Sequence, residues 1–242
     1  MTPQSYIILQ YNSYFWNAIT TIMNFLKILA SYIYPITIKS IPSERSGVIE
    51  LTLVNGRLVM DSKNANYSYG SLQKVLKKGL QFIGSSRLHT FNSILVLGVA
   101  GGSVIKTLRE DFKLSASITG VEIDGEILDL ANTYFQLNKI EKLHLIKADA
   151  FTYIKSCQKK FDLIIVDIFN DSQMSTQLFD LLFWEDTHKT LNNNGVCLFN
   201  TIIHSKENQA RNLELTKQLE GLFTKTETLK THQINELFLL SK

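Results

Sequence analysis

From Ser93 to the C-terminus, short apolar runs alternate with longer segments of helical periodicity, and this alternation constrains the fold more than any other feature of the chain. The predicted strands are 94–97, 117–123, 143–146, 163–167, 195–203, 224–230 and 236–240. The helical patterns cover 102–111, 125–137, 151–157, 176–191 and 206–223. Strands that are apolar on both faces need helices on both sides of a sheet, as in parallel βαβ units. The sequence therefore predicts an α/β fold with a Rossmann-like, seven-stranded, mostly parallel sheet.

A β-hairpin is predicted ahead of this sheet. Residues 47–54 alternate apolar and polar side chains, Asn55-Gly56 follows, and residues 57–60 form a second β-like run. Asn-Gly between two such runs favours a tight turn, because both residues tolerate positive φ. The periodicity of residues 70–83 then predicts a helix. We expect three parts: an apolar helical extension (1–44), a β-hairpin plus helix (45–84) and a Rossmann-like domain (90–242).

The N-terminal segment 6–34 is rich in apolar and aromatic residues. Its polar interruptions are Gln10, Asn12, Asn17, Asn24 and Lys27. A membrane-spanning helix needs about 20 predominantly apolar residues, so these interruptions argue against membrane association through a span. The segment also lacks the basic start and small-residue cleavage site of a signal peptide. A packing helix is favoured over a dimer contact and membrane association, which stay open, and Met23 is an alternative start.

Charge and metal-ligand patterns exclude several classes of function. The 242 residues include 25 basic and 22 acidic ones, a formal net charge of +3, and the basic residues are scattered. This argues against nucleic-acid partners, since a single-strand groove interleaves clustered cations with aromatics. The two cysteines and five histidines show no metal-ligand spacing, so no metal site is predicted. A globular, cytoplasmic protein fits this composition.

The first predicted strand of the sheet ends in a glycine-rich loop, Gly98-Val99-Ala100-Gly101-Gly102. Small residues let the backbone turn tightly and approach a ligand, and the next helix offers free N–H groups. The spacing differs from the G-x-G-x-x-G of dinucleotide enzymes, and no G-x-x-x-x-G-K-[ST] occurs, which argues against a dinucleotide oxidoreductase. A simple turn is the alternative for these glycines. We expect the five residues to contact a nucleotide cofactor.

Carboxylates follow the next two strands, at the edge where ligands of open α/β sheets bind. Glu122, with Ile123 beside it, follows the glycine loop at the distance typical of a carboxylate that accepts both ribose hydroxyls. Asp149 can accept from an exocyclic adenine amine, with Ala150 leaving room for the ring. A helix N-cap is the alternative for Asp149, and it is the favoured explanation for Asp124. These positions are predicted to hold the cofactor.

The fourth predicted strand of the sheet ends at Asp167, a carboxylate that is costly to bury without a partner. A carboxylate there can hold an ammonium group or take a proton from an attacking amine. Asn170 and Asp171 follow it and have a turn as their alternative role. We expect Tyr67, Tyr69, Asn170 and Asp171 to contact a small-molecule acceptor, since the hairpin part and this loop would face each other over the cofactor.

Together these motifs resemble the spermidine synthase family, a branch of the class I methyltransferase superfamily. The similarity covers about residues 45–203 and is carried by 47–60, 64–70, 97–103, 121–124, 148–150 and 165–171. The resemblance implies an N-terminal β-hairpin domain before a seven-stranded Rossmann-like sheet, and a homodimer, since members are often dimers. It also implies Glu122 on the ribose, Asp149 on the adenine and Asp167 as the catalytic group that accepts the amine proton.

The departures from the family pattern are specific. Aminopropyltransferases carry an aspartate in the glycine loop that binds the ammonium of decarboxylated S-adenosylmethionine, and Gly101 stands there. Asn170 replaces the second acid of D-x-x-D-P, no proline follows, and Gly70 stands where a glutamine is usual. The late aromatic region that closes on the polyamine is not recognisable either. A cationic donor and a diamine need several carboxylates, so these losses favour ordinary S-adenosylmethionine as the cofactor.

Four functions are compatible with these motifs to different degrees. The favoured one is methyl transfer from S-adenosylmethionine to an unidentified small acceptor. The next is aminopropyl transfer from decarboxylated S-adenosylmethionine in polyamine synthesis. A non-catalytic binding homologue is a third reading, and dinucleotide oxidoreduction is the least compatible with the glycine spacing.

Overall fold

The computed structural model of the chain describes residues 25–62, 71–169, 174–231 and 234–242. Residues 1–24 and the predicted acceptor contacts Tyr67, Tyr69, Asn170 and Asp171 lie outside the described residues. Residues 25–30 are helical and lead into the first strand. Of the helices in these ranges, none is long and apolar enough to cross a membrane.

A small antiparallel sheet of three strands comes first among the described residues: β1 (Ile36–Ser43), β2 (Gly47–Val54) and β3 (Arg57–Ser62). β2 and β3 confirm the predicted hairpin, and both turn residues have positive φ, 49° at Asn55 and 73° at Gly56. β1 was not predicted from the sequence, because Pro42 indicates a break. Within the described chain β1 is an edge strand that pairs with β2 alone, and an edge strand tolerates a proline because one side of it needs no N–H donor.

The large sheet has seven strands among the described residues: β4 (Ser93–Leu97), β5 (Ser117–Glu122), β6 (Leu143–Lys147), β7 (Phe161–Val166), β8 (Leu191–Ile202), β9 (Lys225–Lys230) and β10 (Asn235–Ser241). Their order is β6-β5-β4-β7-β8-β10-β9. The first five in sequence pair in parallel, while β10 is antiparallel to both β8 and β9. The predicted Rossmann-like, seven-stranded and mostly parallel sheet is confirmed.

Two helices precede β4, namely α1 (Ser71–Ile83) and α2 (Ser85–Leu88). The helices between strands of the large sheet are α3 (Ser103–Lys106), α4 (Gly125–Tyr134), α5 (Ala150–Ser156), α6 (Leu181–Thr190) and α7 (Lys206–Glu220). A π-helical turn, Thr107–Asp111, continues α3. The helix predicted over 176–191 is divided, because the Asp180 carboxylate accepts from the N–H of Leu182 and caps α6 there. A 3₁₀ turn, Thr176–Phe179, precedes this cap.

Helices cover both faces of the large sheet. Val75 and Leu80 of α1 pack on one face with Ile165 of β7. On the other face, Trp184 of α6 packs with Ile164 of β7. Adjacent residues of one strand are thus buried on opposite sides, which explains the continuous apolar runs in the sequence. The small sheet packs on α4 through a separate apolar cluster of Ile49, Leu51, Met60, Ile127, Leu130 and Phe135.

Candidate functional site

The strand order reverses between β4 and β7, because the chain leaves β4 towards β5 on one side and leaves β7 towards β8 on the other. Ligands of open α/β sheets bind at such a point. The two strand ends are tied together, since the N–H of Asp167 donates to the carbonyl of Leu97 at 2.9 Å. The glycine loop and the loop after β7 therefore begin side by side at the carboxyl edge of the sheet.

Gly98 is the residue that makes this close approach feasible. Its φ is +88°, and a Cβ built on it would lie 2.2 Å from the carbonyl oxygen of Asp167. Both the positive φ and the neighbouring backbone exclude a larger residue. Glycine is therefore required at position 98 because the backbone segments after β4 and β7 pack closely there, whether or not the loop also contacts a ligand.

We expect Gly98→Ala to lower the free energy of unfolding by about 2–5 kcal/mol, through backbone strain and overpacking together. Gly84→Ala is the matched control, because Gly84 has a similar φ of +92° and nothing within 4 Å of an added Cβ. It should lose only about 1–2 kcal/mol. Urea unfolding of both variants checks the difference, and equal losses would contradict the packing role of Gly98.

Glu122 ends β5 and is 9% exposed. Its Oε2 accepts from the backbone N–H groups of Val99 at 3.1 Å and Ala100 at 3.0 Å. Its Oε1 accepts from those of Ile123 at 2.9 Å and Asp124 at 3.2 Å. Burial raises the pKa of this carboxyl, and the four N–H groups oppose the rise by stabilising the charge. Glu122 thus fastens the glycine loop to the end of β5.

The four N–H donors bear on whether a ribose fits this site. An ionised carboxylate offers about four acceptor positions, and the backbone uses them in this structure. The hydroxyls of a ribose would have to replace one or two of these N–H groups at Glu122. The carboxylate has the right chemistry and lies at the right edge, so the residues fit a ribose provided that the glycine loop adjusts locally.

The remaining sequence-predicted cofactor residues lie at the same edge. Ala100 has a φ of 47°, a turn conformation that glycine usually adopts, which lets the loop fold back over Glu122. Val99, Gly101 and Gly102 are buried, while Ile123 is half-buried. The structure therefore brings the glycine loop and the Glu122–Ile123 pair into one contiguous cluster.

Asp149 caps α5, which is the alternative that the sequence left open for it. Its Oδ1 accepts from the N–H of Thr152 at 2.8 Å and from the Thr152 hydroxyl at 2.9 Å. Its Oδ2 accepts no hydrogen bond from the described residues, and Ala150 next to it is 8% exposed. One oxygen of Asp149 is thus engaged by the helix, and the other has the chemistry to accept from an amine.

Asp124 has a structural role between the two sheets. Its Oδ1 caps α4 by accepting from the N–H groups of Glu126 and Ile127. Its Oδ2 accepts from the hydroxyl of Ser43, the last residue of β1, at 2.5 Å and from that of Ser46, in the turn before β2, at 2.7 Å. Burial raises the pKa of Asp124, but these hydrogen bonds outweigh it and lower the pKa overall. The favoured N-cap explanation of Asp124 is the arrangement found.

Asp167 follows β7 and is half-buried at the point of strand reversal. The Nδ2 of Asn200 donates to its Oδ1 at 2.9 Å, and the Nδ2 of Asn235 donates to the Oδ1 of Asn200 at 3.1 Å. Burial raises the pKa of Asp167 to about 6, and the hydrogen bond from Asn200 opposes that rise. A carboxylate with a pKa in this range is suited to proton transfer near neutral pH.

Sequence reasoning missed Asn200 and Asn235. Asn200 interrupts an apolar strand and is 0% exposed, which is the available signal, since a buried amide needs partners. The register of the two strands explains why Asp167 is the partner of Asn200. Val166 of β7 pairs with Phe199 of β8, so the residues that follow them, Asp167 and Asn200, lie side by side. Among the described residues, no group of three or more His, Cys, Asp or Glu side chains could hold a metal ion.

Comparison with known proteins identifies the family. Residues 70–232, most of the chain, match the model of the spermine/spermidine synthase domain. The chain belongs to the spermine/spermidine synthase family. The glycine loop, Glu122, Asp149 and Asp167 all lie inside the matched range, and the resemblance seen in the sequence is confirmed.

Curated relatives agree with this family. The chain is 32% identical over 108 residues to the polyamine aminopropyltransferase of Thermoplasma volcanium, which covers 43% of this chain and 39% of that protein. It is 30% identical over 122 residues to the eEF1A lysine and N-terminal methyltransferase of Xenopus laevis, covering 46% of this chain and 17% of that protein. The matches to the first relatives span less than half of their length.

A solved structure shows the same fold. The spermidine synthase of Thermotoga maritima superposes with a TM-score of 0.65 at 16% identity, over 85% of this chain and 72% of that one. At this identity the likeness concerns the architecture alone. Members of the spermine/spermidine synthase family and this chain therefore share the Rossmann-like sheet on which the site is built.

Proposed function

We propose that the chain is a transferase that moves an aminopropyl group from decarboxylated S-adenosylmethionine to a small amine. The observation that carries the proposal is Asp167, a carboxyl with a pKa of about 6 at the strand reversal of a spermine/spermidine synthase fold. Relatives named polyamine aminopropyltransferase support this function over methyl transfer. The sequence-based preference for methyl transfer thus becomes the second candidate.

The proposed reaction needs one proton acceptor. The neutral amine nitrogen attacks the methylene carbon bonded to the sulfonium sulfur, a C–N bond forms, the C–S bond breaks and methylthioadenosine leaves. The product nitrogen then carries a proton that Asp167 accepts. With a pKa of about 6, Asp167 is mostly ionised at neutral pH and is ready for this role. Its negative charge also favours a cationic amine nearby.

The proposed cofactor contacts are the glycine loop Gly98–Gly102, Glu122 with Ile123, and Asp149 with Ala150. Glu122 would accept from the ribose hydroxyls in exchange for loop N–H groups, and Asp149 would accept from the adenine amine through Oδ2. Tyr67, Tyr69, Asn170 and Asp171 are proposed acceptor contacts on the basis of sequence alone. These assignments rest on position at the carboxyl edge and on chemistry.

Methyl transfer to a small acceptor is the second candidate because of Gly101. A carboxylate at this position would bind the ammonium of a decarboxylated donor, whereas a glycine favours the carboxylate end of ordinary S-adenosylmethionine. The Xenopus laevis methyltransferase among the relatives is consistent with this option. The two candidates differ in donor and in product, so one set of measurements distinguishes them.

The test combines binding and product analysis. Calorimetric titration with decarboxylated S-adenosylmethionine, S-adenosylmethionine and methylthioadenosine is followed by mass spectrometry of reactions with 1,4-diaminobutane. We expect methylthioadenosine and an aminopropylated diamine from the decarboxylated donor, and Gly101→Asp should increase the preference for that donor about tenfold. A methylated product from S-adenosylmethionine would favour the second candidate. Binding of none of the three nucleotides would overturn both and point to a non-catalytic homologue.

A further inference from the structure

A row of polar side chains crosses three strands at the carboxyl edge of the sheet. Asn235 of β10, Asn200 of β8 and Asp167 after β7 are joined by hydrogen bonds of 3.1 and 2.9 Å. The row is placed by register, since Asn235 pairs with Ile202 and Phe199 pairs with Val166. The Asn235 carbonyl is itself held by the N–H of Thr231 at 2.9 Å. The row is therefore anchored at the end away from Asp167.

The direction of this row is fixed by the charge of Asp167. An ionised carboxylate only accepts hydrogen bonds, so Asn200 must turn its Nδ2 towards Asp167. Its Oδ1 then faces Asn235, which must donate through its own Nδ2. Asn200 is 0% exposed, and both ends of its side-chain amide have a partner. With Asp167 ionised, only this orientation of the two amides pairs a donor with an acceptor in both hydrogen bonds of the row.

This orientation distinguishes the two oxygens of Asp167. Oδ1 accepts from Asn200, whereas Oδ2 accepts no hydrogen bond from the described residues. While the two amides keep the orientation that ionised Asp167 imposes, a proton on Oδ1 would point an O–H at an N–H donor, so the proton that the carboxylate takes up goes to Oδ2. We propose that Asn200, held by Asn235, is a positioning residue that occupies Oδ1 of Asp167 and leaves Oδ2 to take the proton of the attacking amine.

The role in proton transfer rests on the proposed function, whereas the positioning of Asp167 does not. Among the described residues, burial and the hydrogen bond from Asn200 are the influences on the pKa of Asp167. Asp171, the nearest charged residue in sequence, lies outside the described residues. Removing the Asn200 amide should therefore alter the titration of Asp167 even in protein without substrate.

The same pair of strands supplies a matched control. Asn192, also on β8, donates from its Nδ2 to the Oδ1 of Asp162 on β7 at 2.6 Å. This second asparagine–aspartate bond lies at the opposite edge of the sheet, where β7 begins. Asn192→Leu removes an equivalent hydrogen bond between the same strands and leaves the row at Asp167 intact.

The experiment follows the carboxyl carbon of Asp167 by ¹³C NMR titration of the full chain, assigned with Asp167→Asn. In Asn200→Leu the midpoint of the Asp167 titration should rise by about 1 pH unit, because the lost hydrogen bond favoured the ionised form. Asn235→Leu should give a smaller rise, and it keeps the test open if Asn200→Leu does not fold. Asn192→Leu should leave the midpoint unchanged.

The kinetic measurement compares turnover of decarboxylated S-adenosylmethionine and the diamine by the wild-type chain and by Asn200→Leu. We expect kcat to be about tenfold lower in Asn200→Leu and KM to change less than threefold.

An unchanged midpoint in folded Asn200→Leu or Asn235→Leu would overturn the proposal, and so would an equal rise in Asn192→Leu. If the titration midpoint of Asp167 rises in Asn200→Leu and Asn235→Leu while kcat stays the same, the proposed role of Oδ2 is wrong. Asn200 then has no part in proton transfer. If the wild-type chain does not turn over the diamine at all, the failure lies with the proposed function. In that case the titration still decides whether Asn200 positions Asp167.

Discussion

Asp167→Asn should reduce turnover by about 10²- to 10⁴-fold and, at the same time, raise the free energy of unfolding at pH 8. The loss of turnover follows from removing the proposed proton acceptor while keeping the shape of the side chain. An asparagine oxygen at this position can still accept from the Nδ2 of Asn200, so the row across the strands is preserved. The gain in stability follows from the raised pKa.

The gain in stability from Asp167→Asn depends on pH. The pKa of Asp167 rises from 3.8 to about 6 on folding, so the folded state holds a proton more tightly than the unfolded state. Ionised Asp167 therefore costs stability at high pH, by about 1–3 kcal/mol. Asp167→Asn should be the more stable protein above pH 6, and its advantage should fade as pH falls towards 3.8. Urea unfolding at several pH values measures the difference.

Asp162→Asn is the control at the other end of β7. Burial raises the pKa of Asp162, but hydrogen bonds from the backbone of Asn92 and the side chain of Asn192 outweigh it and lower the pKa overall. Ionised Asp162 therefore adds stability above its unfolded pKa, and this stability is lost as pH falls. Asp162→Asn should destabilise the fold at pH 8, with an effect opposite in sign to that of Asp167→Asn. Destabilisation by Asp167→Asn at pH 8 would contradict the burial argument.

Glu122→Ala should weaken the binding of methylthioadenosine by about 100-fold or more, as measured by calorimetry. The change removes the proposed acceptor of the ribose hydroxyls. It also leaves the N–H groups of Val99 and Ala100 without their carboxylate partner. Backbone hydrogen exchange at these two residues should therefore accelerate about tenfold or more in the ligand-free protein. The exchange experiment tests the loop contact independently of any ligand.

Glu126→Ala is the matched control, since Glu126 is exposed in the first turn of α4. It removes the same charge four positions further along the chain, and its side chain takes no part in the hydrogen bonds that Glu122 accepts. We expect nucleotide binding within about twofold of wild type and unchanged exchange at Val99 and Ala100. Equal loss of binding in both variants would mean that the effect is one of net charge, and the ribose role of Glu122 would be wrong.

The large sheet was predictable from the sequence because its signals are local. The central strands contain apolar runs, 94–97 in β4 and 163–166 in β7, and Gly98 and Asp167 stand directly after them. β1 was missed because a proline normally indicates the end of a strand, whereas an edge strand such as β1 tolerates Pro42. Asn200 and Asn235 were missed for another reason. Their hydrogen bonds join residues 33 and 35 positions apart, so only the register of the strands brings them together.

The turn between β1 and β2 is the kind of polar surface segment in which substitutions and insertions are ordinarily tolerated. Here Ser46 of the turn and Ser43 at the end of β1 donate to the side chain of Asp124, which lies 81 positions from Ser43 and 78 from Ser46. Asp124 also donates its N–H to Glu122. A rearrangement of the turn would therefore alter the hydrogen bonds at the end of β5, even if no residue of the large sheet is substituted. Substitutions in this turn are therefore limited by the hydrogen bonds at the end of β5, where the cofactor is proposed to bind, and we expect the two segments to evolve as a pair.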